Sequence, residues 1–356
     1  MKKNHSNIPA LQHSNTPLPR LTSPSIIREL LDGLGHRPNK GLGQNYLIDS
    51  NILGIIVSAA DISQNDSCLE IGPGLGALTQ ALLATGAKVT AIEKDSTMAL
   101  HLRKTFCDKN PPRPSGTPPV EGMDEECRMS NVECPTSNVQ HRTSNIEHPM
   151  QGLPSKEGCP KGGVGSADEL QNLELLEDDV LDVNLNDLFA GGVNKIIANL
   201  PYSVGSRFIV NALEAQPLPE RMVFLVQKEV ADRLTAQPGG KAFGPLAIWS
   251  QLNYEVKTIK KVSPNCFLPA PKVWSAVVKF EKRSAPLAEV TDYEQFKRLV
   301  KTTFTQRRKQ IGSNLRKNLP EFFQRLEKCG IDPTTRPEQI SIEQWVALAA
   351  CGGSER

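Results

Sequence analysis

The stretch CLEIGPGLGALT, residues 68–79, decides how this chain folds. Residues 68–71 are a short apolar run of the length a buried strand needs, and a helical pattern starts at Ala77. Between them stand Gly72, Pro73, Gly74, Leu75 and Gly76, a turn whose glycines let the backbone bend sharply and lie against a ligand. Working outward, further apolar runs at 88–92, 173–176, 195–198, 222–226, 256–262 and 273–280 read as strands, and the longer stretches between the early ones read as helices. Such alternation predicts an α/β fold with a doubly wound, mainly parallel, Rossmann-like sheet. After Arg283 the strand pattern stops, and 293–318, 321–328 and 342–350 read as helices of a smaller C-terminal domain.

Residues 107–172 interrupt this pattern. They hold no Phe, Trp or Tyr, nine Pro, seven Gly, and ten acidic against six basic residues, which leaves too little apolar area to fold. A seven-residue repeat runs through 130–150, but only one apolar position recurs in it and prolines intrude, so a coiled coil is not expected. The expected organisation is a flexible N-terminal extension at 1–36, a sheet domain at 37–283 broken by a disordered low-complexity insertion at 107–172, and a helical domain at 284–356. His141, His148, Cys127, Cys134 and Cys159 of the insertion are not read as metal ligands.

Composition narrows the function. The formal net charge is +2, so any nucleic-acid surface must be local rather than global. Eight cysteines show no CxxC pair and no zinc-ligand spacing with histidine, which predicts free thiols in a reducing cytoplasm and no metal. There is no apolar run of membrane-spanning length and no apolar core of a signal peptide near the N-terminus, so neither a spanning nor a secreted protein is expected. Residues 1–28 lack acids, as mitochondrial transit peptides do, but Pro9, Pro17, Pro19 and Pro24 would break the required helix.

The glycine turn alone would suit several nucleotide-containing cofactors. Glu93, twenty-one residues after Gly72 at the end of the next strand, is placed to accept hydrogen bonds from both hydroxyls of a ribose. Pro73 removes a backbone donor that a pyrophosphate cradle would use, which favours S-adenosylmethionine over a dinucleotide. Asp179, after the third strand, can accept from the exocyclic amine of the cofactor's adenine, and the neighbouring Asp178 competes for that role.

At the end of the fourth strand stands Asn199-Leu200-Pro201-Tyr202. The lone pair of an adenine N6 is delocalised into the ring, so a methylating enzyme must localise it. The Asn199 side-chain oxygen and the Leu200 carbonyl can take the two N6 hydrogens, Pro201 fixes the turn that aims them, and Tyr202 offers a face on which an extruded base can stack.

These motifs resemble the ribosomal RNA adenine N6-dimethyltransferases, and within them the small-subunit type. The resemblance covers about residues 37–106 and 173–350, through GQNYLID at 43–49, EIGPGLGALT at 70–79, IEKD at 92–95 and NLPY at 199–202. It continues through LVQKEVADRL at 225–234, FLPAPKVWSAVV at 267–278, FTQRRKQIGSNL at 304–315 and GIDPTTRPEQI at 330–340. The resemblance implies an S-adenosylmethionine-dependent methyltransferase sheet and cofactor contacts at Asn45, Leu47, Gly72, Gly74, Glu93, Asp179, Val180 and Asn199. It selects Asp179 over Asp178 and makes Phe267 a second aromatic wall facing Tyr202. The implied reaction dimethylates two adjacent adenosines in a hairpin loop near the 3′ end of small-subunit rRNA, within a 30S-type particle. A monomer in the cytoplasm is expected. The insertion is the departure from the family pattern, and the motifs resume in register after it.

Residues 297–317 carry eight Lys or Arg and no acid, with Gln306 and Asn314 interleaved, and read as a surface for an RNA backbone. Arg307, Arg308, Lys309, Arg316 and Lys317 are the contacts expected. Three other readings compete. A large-subunit RNA methylase of the antibiotic-resistance type is disfavoured by the C-terminal TRPEQI at 335–340, and a non-catalytic assembly factor by the intact site residues. A nicotinamide dehydrogenase is disfavoured by the lack of an acid–base pair for hydride chemistry.

Overall fold

The computed structural model describes residues 21–38, 43–107 and 172–350. The expectations for the extension up to residue 20, for nearly all of the insertion with its repeat, histidines and cysteines, and for 351–356 therefore lie outside the described residues. The N-terminal half runs α1 (Pro24–Gly33), β1 (Tyr46–Leu47), α2 (Ser50–Ala60), β2 (Ser67–Ile71), α3 (Ala77–Leu83), β3 (Lys88–Glu93) and α4 (Ser96–Leu102), whose end winds into a π-helical turn. Then follow β4 (Leu173–Glu177), α5 (Leu185–Ala190), β5 (Lys195–Asn199), α6 (Gly205–Glu214), β6 (Arg221–Gln227), α7 (Lys228–Leu234) and α8 (Pro245–Asn253). The chain ends with β7 (Tyr254–Val262), β8 (Phe267–Leu268), β9 (Ser275–Lys282), α9 (Tyr293–Phe304), α10 (Ile311–Asn318), α11 (Pro320–Phe323) and α12 (Ile342–Ala350).

Seven strands make one sheet in the order β4-β3-β2-β5-β6-β9-β7, parallel from β4 to β6 and antiparallel beyond. From β2 the chain proceeds to β3 on one side and later returns to β5 on the other. Crevices at such a switch point, at the carboxyl ends of the strands, are where open α/β sheets bind ligands.

The central strands β2, β3, β5 and β6 are buried at successive positions because both of their faces are covered. Ile196 and Ala198 face one core with Phe208 and Ile209 of α6, while Ile197 between them faces the other with Ile52 and Ile56 of α2. The first core continues through Ile248 of α8 into Phe296 and Leu299 of α9, Leu315 of α10 and Trp345 of α12. At the other end of the strands, Lys195 of β5 donates to Asp66 at 2.9 Å and to the Asp61 carbonyl, a buried pair that ties the approach to β2 to its neighbour.

The single helix expected over 293–318 is two helices with a turn between them. Asn314 Nδ2 donates to the Thr303 carbonyl at 2.8 Å, closing the end of α9. The first N–H groups of α10 go elsewhere, Ile311 to the Thr335 carbonyl and Gly312 to that of Pro333. A Cβ on Gly312 would fall 2.6 Å from Pro333 Cβ, so only glycine admits this approach. The helix expected at 321–328 is likewise shorter, as α11 stops at Phe323. The strand expected from 273 begins at Ser275, and the antiparallel pair β1–β8 is additional.

No helix among the described residues is long and apolar enough to cross a membrane. No cluster of three or more His, Cys, Asp or Glu able to hold a metal occurs among them, and Cys68 and Cys266 are free thiols.

Candidate active site

A pocket of about 420 Å³ opens at the switch point, between the carboxyl ends of β2, β3 and β5. Its floor is the glycine turn. Gly76 has a φ of +87° and stands at the N-terminus of α3, where a Cβ would fall 2.5 Å from the Phe106 ring. The N–H groups of the three glycines are already used: Gly72 donates to the Ile92 carbonyl, Gly76 to that of Pro73, and Gly74 to Glu93 Oε2 at 3.0 Å. Pro73 has no N–H to give. These donors are thus not free to cradle a pyrophosphate.

Glu93 is 6% exposed, and its Oε1 accepts from the Asp95 N–H at 2.9 Å. Burial raises its pKa, against backbone hydrogen bonds from Asp95, Gly74 and Lys94. A carboxylate has about four acceptor sites, so Glu93 both braces the turn and keeps capacity for a ligand hydroxyl. Asp95 in turn caps α4 through the Thr97 and Met98 N–H groups and accepts from Gln44.

Four carboxyl groups (Glu70, Glu93, Asp178 and Asp179) and two cations (Lys94 and Arg207) line the pocket. Glu70 is 1% exposed, and burial pushes its pKa up to about 8 against hydrogen bonds with Thr79. Carboxyl groups outnumber cations four to two in the lining, so the pocket suits a cationic ligand. With the glycine donors spent, the residues present fit a cationic S-adenosylmethionine and do not fit a dinucleotide.

Asp179 lies two residues beyond β4. Its Oδ2 accepts from Lys94 at 2.6 Å and its Oδ1 from the Leu181 N–H at 3.0 Å, and Lys94 leads in lowering its pKa. Asp178 also borders the pocket, but its Oδ1 is turned back onto the Asp179 N–H at 2.7 Å. Asn45, Leu47, Val180, Gly72 and Gly74 line the same cavity.

All four residues of the tetrapeptide line the pocket as well. Asn199 is the last residue of β5, and its Nδ2 donates to the Asn45 carbonyl at 3.1 Å. A carbonyl can only accept, so this contact fixes which way the amide is turned and leaves Oδ1 available as an acceptor. Leu200 is tied to β6 by its N–H on the Leu225 carbonyl. The Pro201 carbonyl accepts from Val204 and Gly205, closing the turn into α6. Tyr202 Oη lies 2.6 Å from Oγ of the fully buried Ser275, which anchors the ring from β9. Gly43 is packed against this turn: its φ is +67°, and a Cβ would fall 3.1 Å from the Tyr202 nitrogen.

Phe267 is not brought to the pocket. It is 2% exposed, pairs with Leu47 across β1–β8, and packs in the core with Ile52 and Ile56. The basic residues also divide. Arg308, Lys309, Arg316 and Lys317 are exposed, with the Arg316 guanidinium over the Phe323 ring at 4.4 Å. Arg307 instead binds the Gly240 and Lys241 carbonyls and lies 3.8 Å from Glu338, holding a loop. Asn314 is buried and serves the α9–α10 turn.

Sequence reasoning missed Glu70, Lys94, Arg207 and Ser275. Glu70 opens a quoted motif and its strand position beside the turn was a usable signal. A serine starting an apolar strand carries none.

Residues 35–112 and 166–351 match the model of the family described as Ribosomal RNA adenine dimethylase. A Ribosomal RNA small subunit methyltransferase A from Opitutus terrae is 35% identical over 332 residues, covering 92% of this chain and 97% of its own. The protein of that name from Lactobacillus helveticus is 33% identical, covering 88% of this chain and 90% of its own. Among solved structures, a dimethyladenosine transferase from Plasmodium falciparum superposes with a TM-score of 0.61 at 21% identity, over 85% of this chain and 95% of its own. The 23S rRNA methyltransferase ErmE gives 0.54 at 21% identity, over 85% and 97%. At these identities the two structures speak for the fold.

Proposed function

Because the chain belongs to the ribosomal RNA adenine dimethylase family, we propose that it transfers methyl groups from S-adenosylmethionine to the N6 amines of two adjacent adenosines in small-subunit rRNA. The target is a hairpin loop near the 3′ end of that RNA, presented within a 30S-type particle, and the enzyme acts as a cytoplasmic monomer. The observation that carries this reading is the amide of Asn199, turned by the Asn45 carbonyl so that its oxygen is left to accept at the pocket wall.

Glu93 accepts from ribose hydroxyls while bracing the turn, Asp179 accepts from the adenine amine of the cofactor, and Glu70 faces its positive charge. Bound there, S-adenosylmethionine supplies a methyl group already activated on a sulfonium. The remaining work falls to the chain. Asn199 Oδ1 and the Leu200 carbonyl accept the two N6 hydrogens of the target base and localise the nitrogen lone pair. Tyr202, held by Ser275, gives the extruded base a face to stack on. Catalysis of this kind is orientation and exclusion of water, with no need for an early general base, because the amine becomes acidic only after it has attacked. Arg308, Lys309, Arg316 and Lys317 hold the RNA backbone.

The test is nucleoside mass spectrometry of small- and large-subunit RNA after incubation with the protein and methyl-labelled cofactor. Label in N6-dimethyladenosine of the small-subunit RNA is expected. Label confined to large-subunit RNA, or no label, would overturn the reading.

A further inference from the structure

The loop between β8 and β9 ends in Lys272, Val273 and Trp274, all exposed, with Val273 45% and Trp274 52% accessible. Isolated apolar side chains on a surface are ordinary, but a half-exposed indole beside a second exposed apolar residue is not. Trp274 belongs to none of the apolar clusters of the described residues, so the fold gains little from it. Its position is nevertheless well defined. The Trp274 carbonyl accepts from the Lys228 N–H at 2.8 Å, and the next residue, Ser275, is fully buried and bonded to Tyr202 on the pocket wall. Consecutive Cα atoms lie about 3.8 Å apart, so the indole is anchored one residue from the group that positions Tyr202. Two exposed lysines are near it in chain and register: Lys272, two residues before it, and Lys261 on β7, the register partner of Ala276 two residues after it.

We propose that Trp274 is a second stacking platform, on which a nucleotide flanking the target adenosine rests while Lys261 and Lys272 face its phosphate. The occupant is unpaired RNA, because an aromatic face with cations beside it, next to a pocket that takes one base, matches how single strands are held. The proposal rests on the RNA-methylating reading above. It makes Trp274 a binding residue for the neighbour of the reacting base, outside the chemical step.

The three tryptophans make the test direct. Trp249 is 9% exposed and Trp345 is fully buried, so Trp274 dominates any change at the surface. An RNA hairpin with two adjacent adenosines in its loop is titrated into the full-length protein, and indole emission and iodide quenching are followed. Stacking should quench the emission and shield it from iodide. Trp274→Ala should abolish that response and raise KM for the hairpin roughly ten- to a hundredfold, with S-adenosylmethionine affinity unchanged. Trp274→Phe should recover most of the KM. Binding and methylation of RNA with Trp274 emission unchanged, and with KM unaltered in Trp274→Ala, would overturn the platform while leaving the activity standing. An indole that responds to a ribosomal protein and not to RNA would overturn it in favour of a protein-docking surface. Failure of the wild-type protein to methylate any RNA would bring down both readings.

Discussion

Glu93 and Glu70 stand one strand apart and give the pocket its acidic character in different ways. Glu93 holds the Gly74 and Asp95 N–H groups, so its removal has two consequences that can be separated. Glu93→Ala should weaken S-adenosylmethionine binding roughly ten- to a hundredfold, the value of charge-assisted hydrogen bonds of about 1.5–3 kcal/mol, and should also lower Tm. Glu93→Gln, which keeps one acceptor, should recover part of both; calorimetric titration showing lowered Tm with unaltered affinity would make Glu93 a brace alone. Glu70 is the opposite case, an acid whose burial is unfavourable when it is charged. Its folded pKa of about 8 lies above its unfolded value near 4.5, so its contribution to stability is fully present below about pH 4.5 and is lost as pH rises through 8. Glu70→Gln removes that dependence. The ligand-free variant should therefore gain in Tm over wild type as pH rises from about 5 to about 8, while its affinity for the cationic cofactor falls. Melting curves that stay parallel across that range would show that Glu70 is not held neutral by the fold.

At the scale of elements, the buried pair of Lys195 and Asp66 fastens β5 to the start of β2. Burial acts to raise the pKa of Asp66, but hydrogen bonds from Lys195, Ser63 and Asn194 outweigh it and hold the value at about 2. A depressed carboxylate contributes stability above its unfolded pKa, about 4, and loses it as pH falls through about 2. Lys195→Met leaves the acid buried without its cation, so stability should drop by about 3 kcal/mol and acid unfolding should begin at a higher pH. Urea titrations at neutral and acid pH check both parts. Residue 195 also shows the limits of reading elements from sequence. The glycine turn, the alternation of apolar runs and the NLPY tetrapeptide are local features, and local features survive translation into structure. Lys195, by contrast, is a charge at the mouth of an apolar run, and nothing nearby in the chain announces a partner 129 residues away. The same holds for the break between α9 and α10. The basic residues there have helical propensity throughout, and the interruption comes from carbonyls of 333 and 335 that claim the first N–H groups of α10. Phe267, read as a pocket wall from its motif, was placed by its pairing with Leu47 more than two hundred residues earlier.

On the scale of the whole molecule, one core runs from the sheet through α8 into the C-terminal helices, so the basic surface of α10 is carried on the same packed body as the pocket. The exposed cations and Arg307 should then behave differently. Neutralising Arg308, Lys309, Arg316 or Lys317 singly should weaken RNA binding across sequences and reduce the slope of log affinity against log salt by about 1. Arg307→Ala should instead lower Tm by freeing the loop at Gly240 and Lys241, and leave the salt slope nearly unchanged. Filter binding from low to moderate salt separates the two. In the proposed function these surfaces serve one event at Asn199, which can be isolated by single-turnover transfer of labelled methyl groups to small-subunit particles at saturating cofactor. Asn199→Ala should bind S-adenosylmethionine nearly as wild type does, yet transfer roughly a hundred- to a thousandfold more slowly, because the lost acceptor acts mainly as the nitrogen pyramidalises. Asn199→Asp, which keeps an acceptor there, should transfer faster than the alanine variant. Transfer by Asn199→Ala at the wild-type rate under those conditions would contradict the account and leave the tetrapeptide a structural turn.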